Sequence, residues 1–154
     1  MDFVELDLQV TKDGYLVTNH DPCLRNSTNI DQYESLFGDR RTDVTVPNFN
    51  HYTDDYLIND FTLAELKMLK RKQRYDTRNP YMNGAFQILT LEETIEHMVH
   101  LRENYPRSIN SEVEAGLYIE IKEYSFYQGR GIDAAKLLFD VLETYEVNSI
   151  IGAI

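Results

Sequence analysis

Between Phe3 and Val10 the chain alternates: Val4, Leu6, Leu8 and Val10 fall on one face of an extended strand, Glu5 and Asp7 on the other. The pattern predicts a first strand to about Thr11, a tight reversal at Lys12-Asp13-Gly14 and a second strand from Tyr15 to Asn19. From about 29 to 61 the periodicity lapses, and Asp, Asn, Thr and Tyr mix with Pro47, so this stretch reads as a long insertion, functional or mobile. Helical patterning resumes at Thr62-Leu63-Ala64-Glu65, a capping box, with Leu63, Leu66 and Leu69 at near-helical spacing and a basic end. A second capping box, Thr90-Leu91-Glu92-Glu93, opens a helix with Ile95, Met98, Val99 and Arg102 on one face, stopping before Pro106.

Alternation returns at Leu117-Tyr118-Ile119-Glu120-Ile121-Lys122, with the three aliphatics on one face and Tyr118, Glu120 and Lys122 on the other. Beyond a turn flanked by Gly129 and Gly131, Ile132 to about Tyr145 reads as an amphipathic helix through Ala135, Leu138, Phe139 and Leu142. Strands separated by helices of this length favour parallel β/α units. No internal repeat is visible.

Composition narrows the class. With 154 residues, 42% of them apolar, the chain has the size of one domain and enough apolar side chain for a real core. Its formal charge of −11 argues against nucleic acid or an anionic membrane as partner. The single cysteine, Cys23, excludes an internal disulfide framework and reads as a small semi-buried side chain. No basic-then-apolar leader opens the sequence, and no apolar run approaches the length of a membrane span. The chain starts directly in a strand and closes on the apolar Ser149-Ile150-Ile151-Gly152-Ala153-Ile154, so both ends read as cut and the compartment is left open. The sequon Asn26-Ser27-Thr28 is modest support for an exported parent.

The candidate chemistry sits on the polar faces of the two alternating strands. Carboxylates as close as Glu5 and Asp7 raise one another's pKa unless a cation sits between them or one takes up a proton. In a parallel barrel these faces line the interior, so Glu5, Asp7, Glu120 and Lys122 would converge, three carboxylates offering a hard divalent cation its oxygen ligands and Lys122 facing a bound phosphate. His20, next to Asp21 at a strand end, stands where barrel enzymes keep catalytic groups. His51, His97 and His100 read as structural or exposed, and Thr53-Asp54-Asp55 lacks the further acids and the glycine of a calcium loop. Acid, acid and imidazole at this spacing suggest a metal-assisted phosphoester hydrolase.

These residues resemble the glycerophosphodiester phosphodiesterases. Val4-Glu5-Leu6-Asp7-Leu8-Gln9-Val10-Thr11-Lys12-Asp13-Gly14, followed by Leu16-Val17 and His20-Asp21, is similar to the family's E-x-D and H-D signature, and Ile119-Glu120-Ile121-Lys122 resembles its E-x-K strand. The segments from Asp60 to Lys67 and from Gly84 to Glu93 look like the branch that includes periplasmic bacterial and secreted or plant enzymes. The resemblance implies an α/β fold: part of a TIM (β/α)8 barrel over residues 1–154, roughly its first half without the first strand, with the long insertion after the second strand.

It also implies hydrolysis of a small-molecule glycerophosphodiester, such as glycerophosphocholine, to sn-glycerol 3-phosphate and an alcohol. Glu5, Asp7 and Glu120 match the ligands of one divalent cation, Ca²⁺ or Mg²⁺, His20 the second of two proton-transferring histidines, and Lys122 the lysine near the phosphate. Tyr124 and Phe126 follow the E-x-K strand where such enzymes carry aromatics at the substrate rim. The family's first histidine and its phosphate-binding arginine lie in a His-Arg pair upstream of E-x-D, where nothing precedes Met1-Asp2.

The chain therefore reads as a fragment, either of an active phosphodiesterase or a catalytically inactive product that only binds a cation or another chain. An open set of barrel strands predicts association through exposed edges. On the fragment reading the isolated chain hydrolyses no glycerophosphocholine even with Ca²⁺. A phospholipase D of the related spider-toxin type shares the acid signature, but the insertion and the Thr90 to Glu93 segment argue against it.

Overall fold

The structure, a computed structural model, describes residues 3–46, 51–104, 116–145 and 151–153. Strand β1 (Phe3–Val10) reverses into β2 (Leu16–Thr18) through a turn tied down by its own side chains. Thr11 Oγ1 donates to Asp13 Oδ1 at 2.7 Å and accepts from the Tyr15 amide at 2.9 Å. Gly14 takes φ +87°, a conformation that side-chain-bearing residues rarely adopt, and so completes the reversal. The two strands pair antiparallel, Leu8 opposite Thr18 and Val10 opposite Leu16.

The stretch from 29 to 61 is folded rather than an unpatterned loop. It contains 3-10 turns at Ile30–Tyr33, Gly38–Arg40 and Ile58–Asp60, the one-turn helix α1 (Glu34–Phe37), and an antiparallel pair, β3 (Thr42–Thr45) with β4 (His51–Asp55). Residues 47–50, Pro47 among them, lie outside the described residues. The segment has a core without periodicity: Ile30, Phe37, Tyr56, Ile58 and Phe61 are buried with Val17, Leu24, Leu66, Leu69 and Ile88. Apolar residues spaced by turns rather than by a helix or strand repeat leave no pattern to count, yet still exclude water together. Cys23 is fully buried beside Val44, Val46 and Leu57, deeper than its semi-buried reading, and burial raises its thiol pKa, keeping it unreactive.

Both capping boxes form. Thr62 and Glu65 exchange side-chain-to-backbone hydrogen bonds at the start of α2 (Leu63–Leu66), and Thr90 and Glu93 do the same ahead of α3 (Leu91–Asn104). The buried face of α3 runs through Leu91 and Ile95 to partly buried Met98, while Val99 stays 40% exposed. Pro106 lies outside the described residues.

Strand β5 (Gly116–Ile121) then lies parallel to β1, and β6 (Ile151–Ala153) parallel to β5, giving the sheet order β2-β1-β5-β6. Two helices connect β5 to β6: α4 (Tyr124–Gly129), where the sequence suggested only a rim segment and turn, and α5 (Ala134–Thr144). Helix α5 buries Ala134, Leu138 and Leu142, a strict four-residue stripe, and leaves Phe139 67% exposed, so Phe139 is not on the core face. The main core lies between the helices and the sheet: Leu8, Val10, Leu16, Leu117 and Ile119 against Leu91, Ile95, Tyr127, Leu138 and Leu142. Val4, read as a core position, is 48% exposed at the start of β1.

Candidate active site

The opposite face of β1 carries Glu5, Asp7, Gln9 and, one step beyond the strand, Thr11 at the period of two that puts side chains on one side of a sheet. Gln9 and Thr11 are buried polar residues, and each has partners. Tyr127 Oη donates to Gln9 Oε1 at 2.5 Å and accepts the Val10 amide at 3.1 Å, while Gln9 Nε2 donates to the His20 carbonyl at 2.9 Å. This buried network links β1 to α4 and to the segment carrying His20.

Register brings the acids together. In the parallel β1–β5 ladder Glu5 pairs with Tyr118 and Asp7 with Glu120. Glu5, Asp7 and Glu120 each offer a carboxylate oxygen, and these three atoms all lie within 4.8 Å of one another. Lys122 Nζ sits 2.6 Å from Glu120 Oε1 and 3.2 Å from Asp7 Oδ1. The four residues that the alternation placed on one face thus meet in one cluster.

Their electrostatics are those of an acid cluster short of positive charge. Loss of solvent, then its contact with Asp7, raises the pKa of the Glu5 carboxyl. Burial works against the Lys122 ammonium, but Glu120 and Asp7 outweigh it and raise its pKa. Asp7 Oδ1 is shut off from water and has no hydrogen bond among the described residues; its contact with Lys122 is an ion pair without hydrogen-bond geometry. Such an atom is costly to bury unless something further binds it. Three converging carboxylates, one with an unsatisfied oxygen, are a donor set that could hold a hard divalent cation.

His20 reaches the same region from β2. The Asn19 amide donates to the Asp7 carbonyl at 2.9 Å, so His20 is one residue past a backbone tie to the acid strand. Its Nδ1 lies 2.8 Å from Oδ1 of Asp21, which is only 5% exposed. Glu123, just past Lys122, has its carboxyl pKa raised by burial, with Lys122 and His20 pulling it back down, so its carboxylate lies in the fields of both the lysine and the imidazole. Glu123 also holds φ 57°, an uncommon left-handed backbone for a residue with a Cβ.

The aromatic pair separates. Tyr124 is exposed at the start of α4. Phe126 packs edge-on against Tyr127 and under the Arg130 guanidinium, 4.7 Å from its ring centroid. It lines a cavity of about 760 Å³ between α4 and the 29–61 segment, together with Lys12, Arg40 and Arg130, a lining that contains none of the clustered acids. His51 pairs with Thr45 in the β3–β4 hairpin, and His97 and His100 are exposed on α3.

Two arginines join the site that the sequence reading passed over. Arg71 is mostly buried; it donates to Asn19 Oδ1 at 2.6 Å and to the Thr18 carbonyl, fixing the end of β2 that presents His20. Arg74 places Nη1 3.1 Å from His20 Nδ1 and Nη2 3.2 Å from Asp21 Oδ1. Both belong to the basic run that ends the Leu63–Leu69 pattern, whose spacing carried no hint of a return to His20. Gln9 was legible in principle, since it continues the Glu5–Asp7 face.

Among the described residues no helix is long and apolar enough to cross a membrane. The chain is 36% identical over 125 residues to a glycerophosphodiester phosphodiesterase of Arabidopsis thaliana, covering 81% of this chain and 30% of that protein. It is 32% identical over 157 aligned positions to a glycerophosphodiester phosphodiesterase of Haemophilus influenzae, covering 94% and 38%. The chain thus spans about a third of the length of these relatives.

Among solved structures it resembles a glycerophosphoryl diester phosphodiesterase from Parabacteroides distasonis, with a TM-score of 0.56 at 15% identity over 98% of this chain and 35% of that one. The glycerophosphoryl diester phosphodiesterase domain of a Mycobacterium tuberculosis protein gives a TM-score of 0.56 at 16% identity over 99% and 42%. At such identities the likeness speaks for the fold, that of TIM-barrel phosphodiesterases. The family's sequence pattern matches residues 1–135, a span that takes in Glu5, Asp7, His20, Glu120 and Lys122, and so the chain belongs to the glycerophosphoryl diester phosphodiesterase family.

Proposed function

We propose that this chain supplies the cation, phosphate and His20 portion of a site that hydrolyses glycerophosphodiesters to sn-glycerol 3-phosphate and an alcohol. The observation that carries the reading is the convergence of Glu5, Asp7 and Glu120 around one point, with Lys122 at its side. Glu5, Asp7 and Glu120 would hold one divalent cation, Ca²⁺ or Mg²⁺. Bound there, the ion would offset charge that develops on phosphoryl oxygens. Lys122, now held between Asp7 and Glu120, is free to turn to a substrate phosphate once those carboxylates have another counter-charge.

His20 carries the proton transfer. An imidazole with Nδ1 against a buried carboxylate leaves Nε2 as the reactive nitrogen, placed to take a proton and to give it back. The substrate is a small molecule, in keeping with the family and with a net charge unsuited to nucleic acid.

Release of choline from glycerophosphocholine, with Ca²⁺ or Mg²⁺ and then with chelator, tests the reading alongside calorimetric titration of each cation. Cation-dependent turnover lost in Asp7→Asn and in His20→Ala would make this chain sufficient for the chemistry. Cation and glycerol 3-phosphate binding without turnover would assign it the binding half only. Binding of neither would end the proposal.

A further inference from the structure

His20 Nδ1 has two neighbours that cannot both use it. Asp21 Oδ1, at 2.8 Å, can only accept, so that contact requires a proton on Nδ1. Arg74 Nη1, at 3.1 Å, can only donate, so that contact requires a bare Nδ1. The third side of the triangle is an ion pair, Arg74 Nη2 to Asp21 Oδ1 at 3.2 Å, which either arrangement leaves intact. The guanidinium is also placed from behind, 5.2 Å from the centroid of the Tyr75 ring, whose other cationic neighbour is Arg78 at 5.1 Å.

We infer that Arg74 is a positioning residue that sets the tautomer of His20, competing with Asp21 for Nδ1 and so deciding whether Nε2 is bare or carries the proton. With Nδ1–H donating to Asp21, Nε2 is bare and the ring is a base. With Arg74 donating to Nδ1, the proton sits on Nε2, which then presents a hydrogen-bond donor instead of a base. The two arrangements differ by the position of one ring proton and carry the same net charge, and only the one with Nδ1–H on Asp21 leaves Nε2 free to take a proton, which the resulting imidazolium can then give back. The Arg74 guanidinium stays paired with buried Asp21 in both arrangements. Glu123 is the further titratable group in the field of the imidazole, in both arrangements alike.

The catalytic meaning rests on the proposed role of His20, but the coupling itself is read without turnover. Long-range proton–nitrogen correlation spectra of histidine-labelled chain, recorded at rising pH until the His20 signals stop moving, report the two neutral tautomers directly. The chain has four histidines, and His20→Gln identifies the signal. Arg74→Met is expected to lower the ratio of Nε2–H to Nδ1–H at least about fivefold, because only the acceptor remains. Asp21→Asn, whose amide can turn its own donor to Nδ1, is expected to move the ratio the opposite way. Arg74→Lys keeps a charge for Asp21 but has no second nitrogen for Nδ1, and is expected to follow Arg74→Met. Opposite shifts cannot come from general loosening. Equal tautomer ratios in wild type and Arg74→Lys, or shifts of one sign in all variants, would overturn the inference. Opposite shifts in a chain without turnover would keep the coupling and remove the catalytic reading.

Discussion

Asp7 and Glu120 stand opposite each other in the parallel β1–β5 ladder, and Lys122 closes the gap between them, 3.2 Å from one and 2.6 Å from the other. Two carboxylates at paired positions repel, and directly opposed like charges destabilise a sheet. Their persistence here depends on a positive charge between them. In the protein alone that charge is Lys122; a divalent cation at the same acids would take over the task.

Cation binding should therefore register as folding stability. A ligand that binds only the folded chain adds about 2.7 kcal/mol when present at a hundred times its dissociation constant. Urea unfolding with and without saturating CaCl₂ or MgCl₂ is expected to show such a gain. Asp7→Asn removes the carboxylate with the unsatisfied oxygen, and at least about a tenfold weaker cation affinity follows from the lost charge. An unchanged gain in Asp7→Asn would place the cation elsewhere.

A cation held by Asp7 and Glu120 would compete with Lys122, which contacts both. Lys122→Met keeps length and loses charge, so the cation-free chain should be less stable, by about 1 kcal/mol for a partly exposed pair. Its cation affinity should rise while its affinity for glycerol 3-phosphate falls. Calorimetric titration of both ligands reads the two opposite signs, and a parallel loss of both would show Lys122 to be only structural.

Tyr127 is the buried link from α4 to the acid strand, through Gln9 and the Val10 amide. Burial raises the pKa of its hydroxyl far above the ordinary tyrosine range, so it is neutral and can donate. Tyr127→Phe fills the same space but strips Gln9 Oε1 and the Val10 amide of a partner, at about 1–3 kcal/mol. The loss should appear in the urea midpoint with an unchanged slope. A cost below a few tenths would mean that the network rearranges at no penalty.

Much of this was readable from period and punctuation. Strict alternation fixed the faces of β1 and β5, and because both strands are parallel neighbours, reading each face was enough to bring Glu5, Asp7, Glu120 and Lys122 together. Thr62 and Thr90 announced two helix starts through reciprocal side-chain bonds with residues three positions on, a local device that sequence shows directly. Contacts made by folding back over long spans were not readable. Arg74 meets His20 across 54 residues and Tyr127 meets Gln9 across 118, and no repeat at Arg74 or Tyr127 points to the partner. The outward turn of Phe139 and Val99 shows the weakness of apolar spacing alone, since a helix can carry more apolar residues than its neighbours cover.

Glu65 supplies a pH test remote from the site. Its carboxylate accepts from Arg40 Nη2 at 2.7 Å and from the Thr62 amide at 2.9 Å, and Arg40 beside it, against the cost of burial, brings its pKa down from 4.5 to about 2. A carboxyl whose pKa is lower in the folded chain stabilises fully above its unfolded value. As pH falls from 4.5 toward 2, the unfolded chain takes up the proton first and the advantage drains away; below about 2 it is gone. Arg40 itself stays in place, its guanidinium 4.9 Å from the Phe61 ring centroid and 5.2 Å from that of Phe37. Glu65→Gln keeps the shape and removes the titration, so the stability difference between wild type and variant should be flat above about pH 5 and shrink steadily toward pH 2. Urea unfolding at a series of pH values measures it. A difference that stays constant down to pH 2 would mean that Arg40 and Glu65 hold each other by shape and hydrogen bonding, with no help from charge.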